Sequence, residues 1–195
     1  GEGASLNNIG NSYYNLSDYP KALEYYEASL EIAKELGDSQ LESGSLINIG
    51  AIHDELSDYP KALEYYEASL EIAQNHGERR QELMLFNNIG FLFYKQDLDI
   101  LAVDYFDEAI AINESIRGNL EIESHKSSFA SANIGTYEMM ISSLVRLGMD
   151  DDAFNYVERS KARSFLDLLA SGEVKVGKSK HEEFLRKKEE FQKME

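Results

Sequence analysis

The stretch LSDYPKALEYYEASLEIA occupies residues 16–33 and recurs without a change at residues 56–73. The offset of 40 also carries Asn8-Ile9-Gly10 to Asn48-Ile49-Gly50 and on to Asn88-Ile89-Gly90. Both prolines of the chain, Pro20 and Pro60, take the same place in successive units. A fourth Asn-Ile-Gly stands at Asn133-Ile134-Gly135, after a step of 45. Self-similarity at such a period marks a repeat architecture, in which no single unit can bury its own apolar face.

Within a unit the apolar spacing predicts two helices. Leu6, Ile9, Tyr13 and Leu16 recur at steps of 3, 4 and 3, an amphipathic stripe. Ser17-Asp18-Tyr19-Pro20 interrupts it, with Pro20 in the opening turn of the next helix, where a missing N–H costs little. The second helix places Ala22, Leu23, Tyr26, Leu30 and Ala33 on one face and Glu24, Glu27, Glu31 and Glu35 on the other. Gly37 and Gly77 close the first two units, as suits the residue after a helix. Short connections make each pair antiparallel, and stacked pairs share a core. The fold expected is an all-α solenoid of antiparallel helix pairs.

Composition narrows the function. Of 195 residues, 19 are Lys or Arg and 36 Asp or Glu, a net charge of −17. Nucleic acid and anionic lipid both need clustered cations, so neither is an expected partner. With no cysteine there is no disulfide, thiolate metal site or cysteine nucleophile. No apolar run approaches the ~20 residues that span a bilayer, and Gly1-Glu2-Gly3-Ala4-Ser5 lacks the regions of a signal peptide. The expectation is an acidic cytoplasmic module. The missing initiator Met reads as a piece of a longer chain.

The repeated positions resemble the tetratricopeptide repeat: Ile9-Gly10, Tyr13, Ala22, Tyr26 and Ser29 in the first unit, then Ile49-Gly50, His53, Ala62, Tyr66 and Ser69, then Ile89-Gly90, Phe93, Ala102, Phe106 and Ala109. His53 departs from the family's aromatic, and Ser29 and Ser69 stand where Ala is usual. A period of 40, against about 34 in the commonest form, is similar to the variant of kinesin light chains and related adaptors. The resemblance implies a right-handed superhelix with the first helix of each pair (helix A) on the concave wall and the second (helix B) outside.

Units fall at 1–38, 39–78 and 79–118, followed by an extended, divergent fourth over 119–171 and a linker with a charged helix over 172–195. In the fourth unit the next good match to Ala102 is Ala153 rather than residue 142. Ile116 to Asn119 reads as a loop, a long helix is expected from near Glu121 to Leu147, and a last one from about Asp151 to Leu169. The string Glu158 to Leu169 in that helix resembles the segment that closes tetratricopeptide arrays before caspase-like CHAT peptidase domains, mostly bacterial. This implies a parent protein that continues beyond Glu195. Residues 175–195 carry seven basic and five acidic side chains, leaving −19 on residues 1–174; His181 to Met194 reads as a solvated charged helix.

No catalytic, metal or cofactor constellation is apparent. The histidines at 53, 76, 125 and 181 lack the paired spacing of a zinc site, and no phosphate-binding glycine motif is present. Glu121, Glu123 and His125 form the nearest approach to a cluster, and read best as an ordinary helical surface. Any caspase-like chemistry would need a cysteine from elsewhere.

The remaining candidates are polar residues of helix A. Asn8, Asn48 and Asn88 recur once per unit, with Asn133 as a further member. A carboxamide both donates and accepts, so such a row can pair with an extended peptide, as helix A asparagines do in similar adaptors. The same asparagines could instead bond the neighbouring repeat and set the stacking. Asn11, Asn15, Asp54, Glu55, Tyr94 and Lys95 lie further along the same helices and are the expected selectors of side chains. Tyr14, Tyr25, Tyr65 and Tyr94 add stacking area. No Lys or Arg occurs in residues 4–16 or 44–56, so the cationic clamp of chaperone-binding relatives is missing. Asp54 and Glu55 favour a neutral or basic protein or peptide segment. Self-association into a homo-oligomer is the alternative.

Overall fold

The computed structural model describes residues 1–118 and 134–171. Among these residues are eight helices and no strand: α1 (Glu2–Asn15), α2 (Tyr19–Leu36), α3 (Ser39–Glu55), α4 (Tyr59–His76), α5 (Arg79–Lys95), α6 (Asp99–Gly118), α7 (Ile134–Arg146) and α8 (Asp150–Ser171). Consecutive helices pack as four pairs, and each pair touches the next in chain order. The chain is an all-α solenoid. No helix of the described residues is long and apolar enough to cross a membrane. Asn133, the group around His125 and the segment 172–195 lie outside the described residues.

The turn inside each pair repeats closely. Ser17, Ser57 and Asp97 adopt left-handed φ values of 57°, 58° and 57°, and Gly148 does so at 72°. The amide that follows bonds back across the turn: Asp18 to the Tyr13 carbonyl, Asp58 to His53, Leu98 to Phe93 and Met149 to Leu144. The next helix begins with Asp18 accepting from the Lys21 amide and Pro20 in its first turn. Gly37 and Gly77 end α2 and α4 at φ 65° and 68°, where a β-carbon would be strained.

Each of the first three pairs closes on a glycine. A β-carbon at Gly10 would lie 2.6 Å from the Tyr26 ring, at Gly50 2.8 Å from Tyr66, and at Gly90 2.7 Å from Phe106. Ala22, Ala62 and Ala102, all fully buried, admit the same close crossing. The atypical residues have partners. Ser29 donates to the Gly3 carbonyl at 2.9 Å and Ser69 to the Ser43 carbonyl at 3.2 Å. In the third unit Ala109 lies with Leu83 and Ile112 in an apolar cluster. His53 stacks on Tyr65 at 5.5 Å and 7°, as Tyr13 does on Tyr25 at 5.4 Å and 7°. The histidine is there as a ring.

Three expectations are corrected. The stripe on α1 is not uniformly buried: Leu16 is exposed, as is its copy Leu56, and Ile9 is 40% exposed, whereas Ile49 and Ile89 are fully buried. Ile49 and Ile89 have a preceding pair against them; α1 is the first helix of the described stack. Next, α6 continues through Gly118, so Ile116 to Gly118 are helical rather than loop. The largest concerns register, where the Ala102-to-Ala153 match holds and the Asn-Ile-Gly step of 45 does not. From Asp97 to Gly148, Leu98 to Met149 and Ala102 to Ala153 the step is 51 residues, not 45. Ala153 and Tyr156 therefore take the places of Ala102 and Tyr105, and both belong to the cluster of Phe106, Tyr137, Met140 and Leu144. Gly135 sits six residues out of register, and a β-carbon there would meet nothing within 4 Å. Ile141 and Val157 occupy the places of Gly90 and Phe106.

The two kinds of glycine should respond oppositely to alanine. Gly90→Ala forces the Phe106 ring aside and should cost about 1–3 kcal/mol. Gly135→Ala meets open space and should gain about 0.5–1 kcal/mol from helix propensity. Urea unfolding of the two variants checks the register directly; equal effects would contradict it.

Candidate functional site

With the register at 51, the A helices α1, α3, α5 and α7 present equivalent residues in four rows. The uncovered stripe of α1 is Ala4, Asn8, Asn11 and Asn15, at helical steps of 4, 3 and 4. On α3 it is Gly44, Asn48, Ala51 and Glu55; on α5, Met84, Asn88, Phe91 and Lys95. The α7 stripe is Gly135, Met139, Ser142 and Arg146. All sixteen are exposed or partly exposed. The fourth place in the asparagine row thus belongs to Met139. The out-of-register Asn-Ile-Gly had pointed to Asn133 instead.

The junctions between successive A helices explain which polar groups are already engaged. At the first, Asn48 donates to Asn7 Oδ1 at 2.9 Å, and Asn7 donates to Ser45 Oγ at 3.2 Å. Ser45 in turn donates to Ser29. At the second junction Ile47 replaces Asn7 and packs into the apolar cluster holding Leu85 and Ile89. At the third, Thr136 donates to Asn87 Oδ1 at 2.7 Å. At this one position polar faces polar, apolar faces apolar, and polar faces polar again, while elsewhere on the second junction Gln81 donates to Ser43 Oγ at 2.7 Å. Asn48 is a stacking residue, whatever else it touches. Asn88 is half-buried, and among the described residues none hydrogen-bonds its carboxamide.

The charged candidates also have partners. Lys95 donates to both carboxylate oxygens of Asp54, at 2.7 and 2.9 Å, and lies 4.7 Å above the Phe91 ring. Arg146 meets Asp97 and Asp99, each at 2.6 Å, and covers the Tyr94 ring at 4.0 Å. Tyr94 hydroxyl lies 3.1 Å from Ser142 Oγ. Glu55 is exposed at the end of its stripe. Burial, with Glu55 and Asp54 nearby, raises the Tyr14 hydroxyl above its usual range. Asn15 is exposed; Asn11 accepts from the Tyr26 hydroxyl at 2.7 Å. Tyr25 and Tyr65 are taken up in the ring stacks with Tyr13 and His53.

Sequence reasoning missed Phe91, Met139, Ser142 and Arg146. The signal was available: extending the Ala102-to-Ala153 step back through the preceding helix names Met139, Ser142 and Arg146. Among the described residues no cluster of three or more His, Cys, Asp or Glu could hold a metal ion.

The sequence of residues 2–75 matches the model of the tetratricopeptide repeat family. Solved structures share the fold over most of the chain. BtubC from P. vanneervenii superposes with a TM-score of 0.72 at 20% identity, over 90% of this chain and 66% of that one. Aspartyl phosphate phosphatase F from Bacillus subtilis also gives 0.72 at 20%, over 83% and 40%. The Rap conjugation gene regulator of plasmid pLS20, solved with a Phr peptide, gives 0.61 at 18%, over 88% and 45%. The chain therefore spans between 40 and 66% of the length of these three proteins. Among curated proteins no relative matches the sequence.

Two measurements test this geometry. Asn48→Ala should lower unfolding stability by about 0.5–1.5 kcal/mol, because Asn7 loses its partner, while Asn88→Ala should leave stability within about 0.5 kcal/mol. The second concerns alkaline pH. Burial pushes the Tyr26 hydroxyl up to about 12, and raises Tyr66 still further, whereas an unfolded tyrosine ionises near 10. The native state thus keeps its proton where the unfolded chain loses it. The stabilisation is complete below about pH 10 and is lost as pH climbs toward the folded value. Tyr26→Phe removes the bond to Asn11 at neutral pH yet should suffer less between pH 10 and 12. Its deficit against the parent chain in urea unfolding should shrink across that interval.

Proposed function

We propose that this chain is a non-catalytic interaction scaffold that holds an extended protein or peptide segment along the A-helix face. The unpaired carboxamide of Asn88 carries the reading: a polar group left open in a row whose neighbour Asn48 is already bonded. Helices pack about 8–10 Å apart and an extended chain rises roughly 3.3 Å per residue. Adjacent rows therefore meet every third residue of a bound segment. Asn8, Asn11, Asn15 and Asn88 supply polar contacts; Tyr94, with Arg146 against its ring, borders them. The Rap regulator solved with a Phr peptide is a similarly folded protein with a peptide partner.

Asp54 is compensated by Lys95 and Arg146 by Asp97 and Asp99, which leaves Glu55 as the open charge of the stripes. We accordingly assign a neutral or basic segment, with acidic ones disfavoured. A broader reading makes the array the sensor arm of a caspase-like protein, on the resemblance of Glu158 to Leu169; these residues lie within α8. Separated His and Cys motifs in the intact protein's remaining sequence would support it, and their absence would discard it.

Selection from a random heptapeptide display library on the immobilised chain tests the main reading. Enriched peptides should be poor in Asp and Glu, and Asn8→Ala with Asn88→Ala should weaken them about tenfold without changing the melting temperature. No enrichment over the bare surface would refute the scaffold reading. Light scattering over a concentration series examines the rival, self-association, which requires mass to rise with concentration.

A further inference from the structure

Between α5, α6 and α7 a cavity of about 350 Å3 opens on the A-helix face. Phe91, Phe106 and Met139 form its apolar walls, and Asn88 stands with them. Small residues are usual at this place in the repeat, as with Ala4 and Ser5 on α1 and Gly44 and Ser45 on α3. At step 51, Gly135 and Thr136 replace Met84 and Leu85, so two small residues stand where the preceding A helix has two large ones. The bond from Thr136 to Asn87 holds the helices together there but does not fill the space.

The chemistry of the lining limits what can enter. Among the described residues no Lys, Arg, Asp or Glu borders the cavity, so a charged group would lose its hydration with none of them to meet it. Lys95, over the outer face of Phe91, is held by both oxygens of Asp54. A volume near the lower end of ligand-pocket sizes suits one large side chain rather than a folded element. Phe91 is 38% exposed, which is ring surface available for contact, and the Met139 thioether adapts to ring edges. Next to these surfaces the Asn88 carboxamide offers both a donor and an acceptor, which is what a peptide backbone beside a buried side chain needs.

We propose that this cavity is the anchor subsite of the scaffold: it takes one large uncharged side chain, Phe, Leu or Met, of an extended peptide whose adjoining backbone pairs with Asn88. The assignment rests on the peptide-holding reading above and adds to it the residue class that fixes the register of the bound segment.

The test uses the whole chain and fluorescein-labelled heptapeptides Gly-Asn-Ser-X-Ser-Asn-Gly amide, with X as Phe, Leu, Ala, Lys or Asp, read by fluorescence anisotropy. Peptides with Phe or Leu should bind about ten- to a hundredfold tighter than that with Ala, the range for burying such a side chain. Lys and Asp should bind no tighter than Ala. Gly135→Leu, whose β-carbon meets nothing, should fill the cavity, keep the circular dichroism spectrum and bring Phe to within about twofold of Ala. Phe91→Ala, a change at an exposed ring, should reduce the preference severalfold by a separate route. Asn88→Ala should weaken every peptide about three- to tenfold while preserving the ratio of Phe to Ala. Binding that ignores X, or a Phe preference that survives both Gly135→Leu and Phe91→Ala, overturns the subsite and leaves the scaffold intact. Failure of every peptide to bind overturns both.

Discussion

The close approach of a glycine in one helix to an aromatic ring in the next is the constraint on which the regular part of this solenoid depends. At Gly10, Gly50 and Gly90 the ring of Tyr26, Tyr66 or Phe106 occupies the space a β-carbon would need. The aromatic can then lie flat between paired helices and remain almost wholly buried. Both partners must be kept together, since a larger residue at the glycine collides and a smaller one at the ring leaves a void. In the fourth pair Ile141 and Val157 stand in those places, and two branched aliphatics replace the glycine and ring. That exchange marks where the duplicated pattern stops.

A second set of constraints acts between pairs. The junctions alternate: Asn7 with Ser45 and Asn48, Ile47 with the cluster of Leu85, then Asn87 with Thr136. A buried amide facing leucine would leave its hydrogen-bonding groups unsatisfied, so the two sides match at this position of each junction. This matching decides how the asparagine row can act. Asn48 is drawn into a junction because the preceding helix offers Asn7. Asn88 stays open because the preceding helix offers Ile47. Identical residues at identical repeat positions thereby differ in their hydrogen bonding.

Electrostatics plays a smaller part than the net charge suggests. Glu24, Glu27 and Glu31, their copies Glu64, Glu67 and Glu71, and Glu35 are on the exposed side of the B helices; a solvated stripe of this kind favours solubility more than recognition. On the A-helix face, Lys95 and Arg146 are each placed against a ring and against carboxylates of the protein itself. Such pairs hold side chains in place more than they stabilise the fold. The face they leave is polar and close to neutral.

The helical class, the pairing, the turn residues and most of the core were legible in the amino-acid sequence. Each follows from local periodicity and chain geometry: apolar steps of three and four, a proline in an opening turn, a glycine after a helix. The close glycine contacts followed from the recurrence of Gly10, Gly50 and Gly90. The exposure of Ile9 was not legible, because burial there depends on whether another pair lies against it. Nor was the fourth register, where Asn-Ile-Gly at 133–135 argued for 45 and Ala153 argued for 51. Local patterns cannot choose between two frames separated by an extended connection; only packing against α5 and α6 can. That choice puts Met139 in the asparagine row and Gly135 at the cavity. The sequence by itself determined the repeating unit, and the tertiary structure decided where the repetition ends and which of its copied residues are taken up in the stacking, because both depend on what the neighbouring pair offers.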